Sequence, residues 1–142
     1  MPDSTYHILE FDKLPEVDRG TGVKTKLLAH KELGSKNITN GITRFEPGAK
    51  IALHYHNCDE SVAIIEGEAV AEVDGNRHVM HKWDTTFVPA GVPHRFINDS
   101  DKPMAILWTY GASYVTRTFV ETGVTVEHMS AADRAVAATK PS

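Results

Sequence analysis

The segment His54-Tyr-His56-Asn-Cys-Asp-Glu60 is the stretch of this sequence that most strongly indicates its fold and its site. It begins as a strand, and residues two apart on a strand project from the same face, about 7 Å from each other. The side chains of His54 and His56 can therefore converge on one ion. Asn57-Cys-Asp59 has the length and composition of a hairpin turn, so Glu60 is expected to begin an antiparallel partner strand beside the two histidines. Three candidate metal ligands thus come from one short segment.

A second segment, Pro89-Ala-Gly-Val-Pro93-His94, supplies a fourth candidate ligand. Proline has no amide donor for a sheet ladder, so this segment predicts a turn that delivers His94 onto the next strand. Taken alone, a His-x-His pair on a strand is more often a polar face than a metal site. The combination with Glu60 and His94 favours a metal site.

Short apolar or alternating runs, separated by Gly, Pro, Asn and Asp, extend from residue 23 to residue 121 and predict an all-β sandwich or barrel. Asp74-Gly-Asn76 predicts a tight hairpin within residues 68–82. Ser130-Ala-Ala-Asp133 is a helix-start pattern, so the chain ends in either a short helix or a frayed tail. The predicted strands are Val23–His30, Asn37–Phe45, Ile51–His56, Glu60–Ile65, Glu68–Val73, Arg77–Lys82, Thr85–Val88, His94–Ile97, Met104–Tyr110 and Tyr114–Glu121.

The length of 142 residues fits one domain. We expect residues 1–22 to form an N-terminal arm, which is either a strand added to a neighbour or a loose arm. Residues 23–122 would form the barrel, and residues 123–142 a C-terminal extension.

Composition excludes several classes of function. Lys and Arg number 15 against 19 Asp and Glu, and no basic stripe forms, so nucleic acid is not an expected partner. No apolar run is long enough for a membrane span, and the first residues lack the pattern of a signal peptide, so we expect a cytoplasmic protein. Cys58 is the single cysteine, which excludes an intrachain disulfide.

The remaining polar residues have ordinary interpretations. Cys58 is expected at the tip of a turn, pointing away from the metal ligands. His81 and Arg44 are weaker candidates for acid-base or carboxylate-binding roles. The dispersed histidines are interpreted as solvated surface residues: His7, His30, His78 and His128.

Both ligand segments resemble the signature motifs of the cupin superfamily. The first motif is matched by Gly48, His54, His56, Glu60 and Gly67, and the second by Pro89, Gly91, His94 and Asn98. The resemblance spans about residues 42–110 and implies an antiparallel β-barrel, or jelly roll (a double-stranded β-helix), with the four ligands inside.

The chain departs from the second motif at one position. That motif opens with glycine six residues before its proline, and Trp83 stands there instead. A bulky residue adopts the φ angles of glycine only at a cost. We therefore expect the turn at Lys82-Trp83-Asp84 to differ locally from that of the family.

Three imidazoles and one carboxylate suit one divalent first-row transition metal. On an octahedral ion they leave two open positions, which favours manganese, iron, nickel or cobalt. Zinc is possible, but four ligands would close its tetrahedron. By strand parity, the pocket around the ion is expected to be lined by Val62, Ile64, Phe96 and Asn98.

Two functions are consistent with this site. The leading hypothesis is a metal-dependent enzyme acting on a small oxygen-rich metabolite that chelates the ion, by dioxygenase, decarboxylase or isomerase chemistry, as the resemblance implies. The alternative is a non-catalytic module that binds or senses a small ligand. The resemblance and the free edges of an open barrel also imply a homodimer.

Overall fold

The computed structural model describes residues 5–136, with the side chains of residues 5–133. Residues 1–4 of the predicted arm and residues 137–142 of the predicted extension lie outside this part. One short helix, α1, spans Ala131–Val136, and 3-10 turns span Phe11–Lys13 and Lys31–Leu33. The strands are β1 (Val17–Asp18), β2 (Val23–Leu27), β3 (Thr39–Phe45), β4 (His54–His56), β5 (Glu60–Glu66), β6 (Ala69–Val73), β7 (Asn76–Met80), β8 (Thr85–Val88), β9 (His94–Ile97), β10 (Met104–Tyr110), β11 (Thr116–Phe119) and β12 (Thr125–Glu127).

These strands form two antiparallel sheets of six strands each, which confirms the predicted all-β jelly roll. The first sheet has the order β1-β2-β3-β10-β5-β8, and the second has the order β12-β11-β4-β9-β6-β7. All ten predicted strands are present, most of them shorter than predicted. The sequence did not predict β1 and β12, because two or three residues are too few for alternation to register.

The hairpin between β6 and β7 is confirmed. Val73 pairs with Asn76 across a two-residue loop, and the pairing continues to Ala69 and Met80. Asp74 and Gly75 both have positive φ angles, 50° and 81°, as a tight hairpin loop with the right twist requires.

The segment after His56 is not the hairpin that its composition predicted. β4 pairs with β9 and β11 in the second sheet, whereas β5 pairs with β8 and β10 in the first. Asn57-Cys-Asp59 therefore carries the chain from one sheet to the other. A short polar segment has the same composition whether it joins paired strands or facing sheets, so local sequence could not distinguish them.

Trp83 adopts a left-handed backbone conformation in spite of its bulk. Its φ angle is 78°, in the region that favours glycine. Whether the turn differs from that of the family stays a prediction. The amide nitrogen of Trp83 donates to the carbonyl oxygen of Ile64 at 2.7 Å, which fixes the turn against β5. The indole is 68% exposed and stacks near Lys82, whose Nζ lies 5.0 Å from a ring centroid. Since the ring meets no crowded surroundings, the strain is confined to the backbone.

The core lies between the two sheets, and β10 supplies much of it. The sequence left open which face of β10 turns inward; the structure buries the face formed by Met104, Ile106, Trp108 and Tyr110. Gly41 on β3 lets the indole of Trp108 lie against the strand, because a Cβ there would be 2.3 Å from Cζ2 of Trp108. The indole nitrogen donates to Oγ1 of Thr43 at 2.8 Å.

The predicted helix near the end of the chain is present as α1. Oγ of Ser130 accepts a hydrogen bond from the amide of Asp133 at 3.3 Å, as expected for a capping serine. Among the described residues, no helix has the length and apolarity needed to cross a bilayer. The cytoplasmic location stays a prediction.

Candidate metal centre

Four predicted ligands meet inside the barrel. His54 and His56 project from β4, His94 projects from β9, where it pairs in register with His54, and Glu60 begins β5 in the opposite sheet. Each is at most 4% exposed. One possible ligand atom from each residue lies within 4.8 Å of all the others. We call these four residues the ligand cluster.

Two turns hold the ligand cluster together. The amide of Gly91 donates to the carbonyl oxygen of His56 at 3.0 Å, and the amide of Ala90 donates to Oδ1 of Asp59 at 3.2 Å. The turn that precedes Glu60 is thus bonded to the turn that precedes His94. Asn57 adds a tie to β11, because its Oδ1 accepts from the amide of Thr116 at 2.8 Å.

Backbone carbonyls fix the orientation of all three imidazoles. Nδ1 of His54 lies 2.6 Å from the oxygen of Ala52, Nδ1 of His56 lies 2.9 Å from that of Thr116, and Nδ1 of His94 lies 2.9 Å from that of Val92. A carbonyl oxygen only accepts, so each Nδ1 carries a proton. In the neutral ring Nε2 then holds a lone pair, which is the form that binds a metal.

The Nε2 atoms of His56 and His94 face Glu60. His94 Nε2 lies 3.1 Å from Oε1 of Glu60, and His56 Nε2 lies 3.4 Å from Oε2. Both nitrogens and Oε1 are buried and form no well-formed hydrogen bond with the residues that the structure describes. Buried polar atoms are almost always bonded, so a converging set that lacks bonds fits an ion at its centre. The donor set of imidazole nitrogens and one carboxylate suits a divalent transition metal.

The electrostatics of the ligand cluster follow from burial and close contact. Burial, reinforced by the nearby charge of Arg117, lowers the pKa of His54 well below its usual value, and burial also lowers the pKa of His56. For Glu60, burial acts to raise the pKa, but the neighbouring imidazoles of His94 and His56 outweigh it and hold the pKa at about 2. Burial acts to lower the pKa of His94, and the Glu60 carboxylate outweighs it and raises that pKa. Glu60 is therefore ionised at neutral pH.

An inner cavity of about 20 Å³ adjoins the ligand cluster. Two of the predicted lining residues, Val62 and Phe96, form part of its wall, together with Ile51, Ile106, Trp108 and Tyr110. The other two lie elsewhere: Ile64 packs in the core, and Asn98 is fully buried with its Nδ2 donating to the carbonyl oxygens of Phe45 and Lys102. The role of Asn98 in the motif is therefore to hold a loop.

Sequence reasoning missed the charged residues of the inner cavity. Arg117 is 3% exposed and pairs in register with His56, and Arg19 is 6% exposed. Both line the inner cavity. A signal was present for Arg117, because it lies between Val115 and Phe119 on the apolar face of a predicted strand. A charge on an inward face is rarely buried without a purpose.

His128 is not the surface residue that its isolation predicted. It is 9% exposed, and its ring lies 5.0 Å from the rings of both Trp108 and Tyr110 and 6.4 Å from that of His56. Burial and the nearby charges of Arg117 and Arg19 lower its pKa well below the usual value, so it is neutral near pH 7. The prediction failed because β12, which leads into His128, was itself not predicted.

His128 separates the inner cavity from a larger outer cleft. The outer cleft has a volume of about 300 Å³, and His128 is the one described residue that it shares with the wall of the inner cavity. Its other lining residues include His30, Lys31, Thr39 and Glu127. The outer cleft therefore leads toward the ligand cluster and ends at the imidazole of His128.

The weaker candidates lie outside the site. Arg44 is exposed and pairs with Glu66 at 3.3 Å, and His81 is exposed beside Glu68 and Asp84. Cys58 is not part of the ligand cluster, as predicted. However, it is buried rather than exposed at the tip of a turn. Its side chain packs in the hydrophobic core, and burial raises the pKa of its thiol to about 11.

Comparison with known proteins agrees with this architecture. Residues 41–110 match the family model described as the cupin domain. The protein SchB of Streptomyces halstedii is 27% identical over 112 residues, which cover 78% of this chain and 81% of SchB. An RmlC-like cupin from Shewanella frigidimarina superposes with a TM-score of 0.68 at 23% identity, over 76% of this chain and 92% of that one. The chain belongs to the cupin superfamily.

One structural neighbour is an enzyme with known metal centres. Oxalate decarboxylase from Bacillus subtilis, which contains Mn(II) centres, superposes with a TM-score of 0.64 at 26% identity. The match covers 71% of this chain and 29% of that larger one. The likeness in fold selects no reaction.

Proposed function

We propose that this protein is a metal-dependent enzyme that acts on a small oxygen-rich metabolite bound directly to the metal, by dioxygenase, decarboxylase or isomerase chemistry. One observation carries the proposal. Three imidazoles have their Nδ1 protons committed to backbone carbonyls, and two of them, His56 and His94, direct Nε2 toward the Glu60 carboxylate. A possible ligand atom of His54 lies within 4.8 Å of the others in the same buried cluster. Burying such polar groups without partners destabilises the folded protein, and binding of an ion would offset that cost.

The metal would be one divalent ion held by His54, His56, Glu60 and His94. Manganese, iron, nickel or cobalt is favoured, because four protein ligands on an octahedral ion leave two positions for a substrate. Zinc is a weaker choice, since the same four ligands complete its tetrahedron. When bound, such an ion supplies Lewis-acid polarisation of a carbonyl or a template for dioxygen.

The residues of the chain have separate tasks in this proposal. The carbonyls of Ala52, Thr116 and Val92 hold the ligand imidazoles in one tautomer, which raises their basicity and fixes their direction. Val62 and Phe96 give the inner cavity an apolar wall that excludes bulk water. Exclusion of water strengthens every electrostatic interaction between the site and its substrate.

Turnover separates an enzyme from a binding module. Metal-loaded protein is incubated under air with a panel of keto acids, dicarboxylates and catechols, while oxygen and substrate loss are followed. We expect loss of at least one substrate that requires the metal and is abolished in His94→Ala. A compound that binds the loaded protein but is never consumed would favour the alternative, a sensor or storage module.

We also propose that the protein forms a homodimer through the sheet edges near β7 and β8. Val79, Trp83 and Phe87 are 58%, 68% and 67% exposed there, and each of these strands ends its sheet. Unpaired strand edges with apolar side chains tend to be covered. Light scattering coupled to size exclusion tests this: we expect a dimer mass, and Phe87→Lys should give a monomer. A monomeric wild-type protein would contradict it.

A further inference from the structure

A second group of charges lies beside the ligand cluster. Asp133 of α1 is fully buried, and its Oδ2 lies 3.1 Å from a terminal nitrogen of Arg19 and accepts from the amide of Met129 at 2.7 Å. Arg117 approaches the other oxygen, with Nε 3.3 Å from Oδ1, but that contact lacks hydrogen-bond geometry. The aspartate is thus bonded to Arg19 and Met129, and only electrostatically to Arg117.

Arg117 keeps unused donors inside the cavity. Its Nε and Nη1 atoms are buried and form no hydrogen bond with the described part of the chain. A buried guanidinium donor without an acceptor is destabilising, so such a donor calls for a water, an ion or a ligand as its partner. Because Arg117 lines the inner cavity, those donors lie beside the space that a ligand would occupy.

Arg117 lies beside the ligand cluster. It pairs in register with His56, and it lines the inner cavity together with His54, Glu60 and His94. A divalent ion there would be only half neutralised by the single negative charge of Glu60. The cavity would then hold two neighbouring positive centres, the metal site and Arg117, and a buried excess of positive charge is stabilised by an anion.

We propose that Arg117 forms an anion subsite beside the ligand cluster, and that the cavity's ligand carries a carboxylate that accepts a hydrogen bond from Nη1 of Arg117. The proposal deepens the proposed function and rests on it for the metal. A carboxylate oxygen suits this donor because the hydrogen bond is strengthened by the charges of both groups. The inner cavity of about 20 Å³ has room for about one water molecule, so a carboxylate ligand requires a wall residue such as His128 to move.

Calorimetric titration with oxalate tests this subsite, with acetate as a monocarboxylate, acetamide as a neutral analogue and phosphate as a different anion. Each probe is titrated into metal-free and Mn²⁺-loaded protein. We expect oxalate and acetate to bind, acetamide not to bind, and Arg117→Lys to lower oxalate affinity by at least roughly tenfold in both forms. Arg44→Lys, which changes an exposed arginine, should leave the affinity unchanged.

A charge-balanced variant keeps the test informative if Arg117→Lys fails to fold. Arg117→Met combined with Asp133→Asn removes one charge of each sign, and thermal melting verifies that it folds. This variant should bind Mn²⁺ as the wild type does and should lose oxalate binding to its metal-free form. Oxalate binding that is absent from the wild type, equal in the variants, or matched by acetamide or phosphate would overturn the subsite.

The two proposals fail separately. If the protein binds no metal but metal-free protein binds oxalate in an Arg117-dependent way, the proposed metal function is wrong and the anion subsite stands. If the metal binds through the ligand cluster and substitution of Arg117 leaves the oxalate affinity unchanged, the subsite is wrong and the metal function stands.

Discussion

Nε2 of His94 lies 3.1 Å from Oε1 of Glu60, although the two residues belong to opposite sheets of the barrel. His94 reaches this point from the turn that ends at Pro93, and Glu60 from the segment that crosses between the sheets. An ion bound by both residues would therefore join the two sheets across the core. Metal binding should then stabilise the whole fold rather than one loop.

Metal removal should lower the melting temperature. A ligand that binds only the folded state adds about 2.7 kcal/mol when its free concentration is a hundred times Kd. For a chain of this size that corresponds to roughly 5 to 10 °C. Calorimetric melting of metal-loaded protein and of EDTA-treated protein measures the difference. An unchanged melting temperature would mean that no ion joins the sheets in the native state.

Glu60→Gln should weaken metal binding more than its small change in shape suggests. The substitution keeps one carbonyl oxygen but removes the only negative charge of the ligand cluster, which leaves a buried divalent ion uncompensated. We expect a loss of at least roughly tenfold in affinity, about 1.4 kcal/mol, by competitive titration at neutral pH. Glu66→Gln, an exposed control on the same strand, should have no effect. Equal affinity in Glu60→Gln would make the site a three-histidine centre.

At position 83 a glycine should give a more stable protein than an alanine, which is the reverse of the order at an ordinary exposed position. The φ angle of 78° at Trp83 is strained for any residue with a Cβ. Trp83→Gly is therefore expected to be more stable than Trp83→Ala, by roughly 1 kcal/mol in urea unfolding. Phe87, which is equally exposed on β8, provides the control, since Phe87→Gly should be less stable than Phe87→Ala. The same order at both positions would show that the turn is unstrained.

His128 should limit access to the metal. Its ring is the wall shared by the outer cleft and the inner cavity. His128→Ala removes that wall, at a cost of about 2 kcal/mol in stability, and should speed the uptake of Co²⁺ by metal-free protein. His128→Phe loses the imidazole but keeps a ring, so its uptake rate should stay near that of the wild type. The uptake of Co²⁺ is measured by visible absorption. Equal uptake rates for His128→Ala and His128→Phe would show that metal enters the site by a route that does not pass His128.

Local spacing predicted much of the site, but by a route that was partly wrong. His54 and His56 share a face because strand geometry is local. Glu60 was expected beside them through a hairpin, whereas it reaches them from the facing sheet. The predicted position of Glu60 was nevertheless right, because a three-residue crossover and a three-residue hairpin both return the chain to the same end of the barrel.

The residues that were missed depend on packing between distant segments. Arg117, Asp133 and His128 meet because β12 and α1 fold back over β11, and neither the two-residue nor the 3.6-residue period carries that information. At Trp83, by contrast, local sequence gave a clear preference that the rest of the fold overrode. The side chain of Trp83 argued against a left-handed turn, yet the pairing of its amide with β5 prevailed over local preference.

The most direct test of the metal centre is metal content by plasma mass spectrometry, measured on protein purified from its native host and on His56→Ala and His94→Ala variants. The four-residue site predicts about one equivalent of a divalent transition metal in the wild type. It also predicts a strong loss in both variants, because each loses one of four ligands. His81→Ala, at an exposed histidine, should retain the metal. Full metal content in both ligand variants, or none in the native protein, would contradict the site.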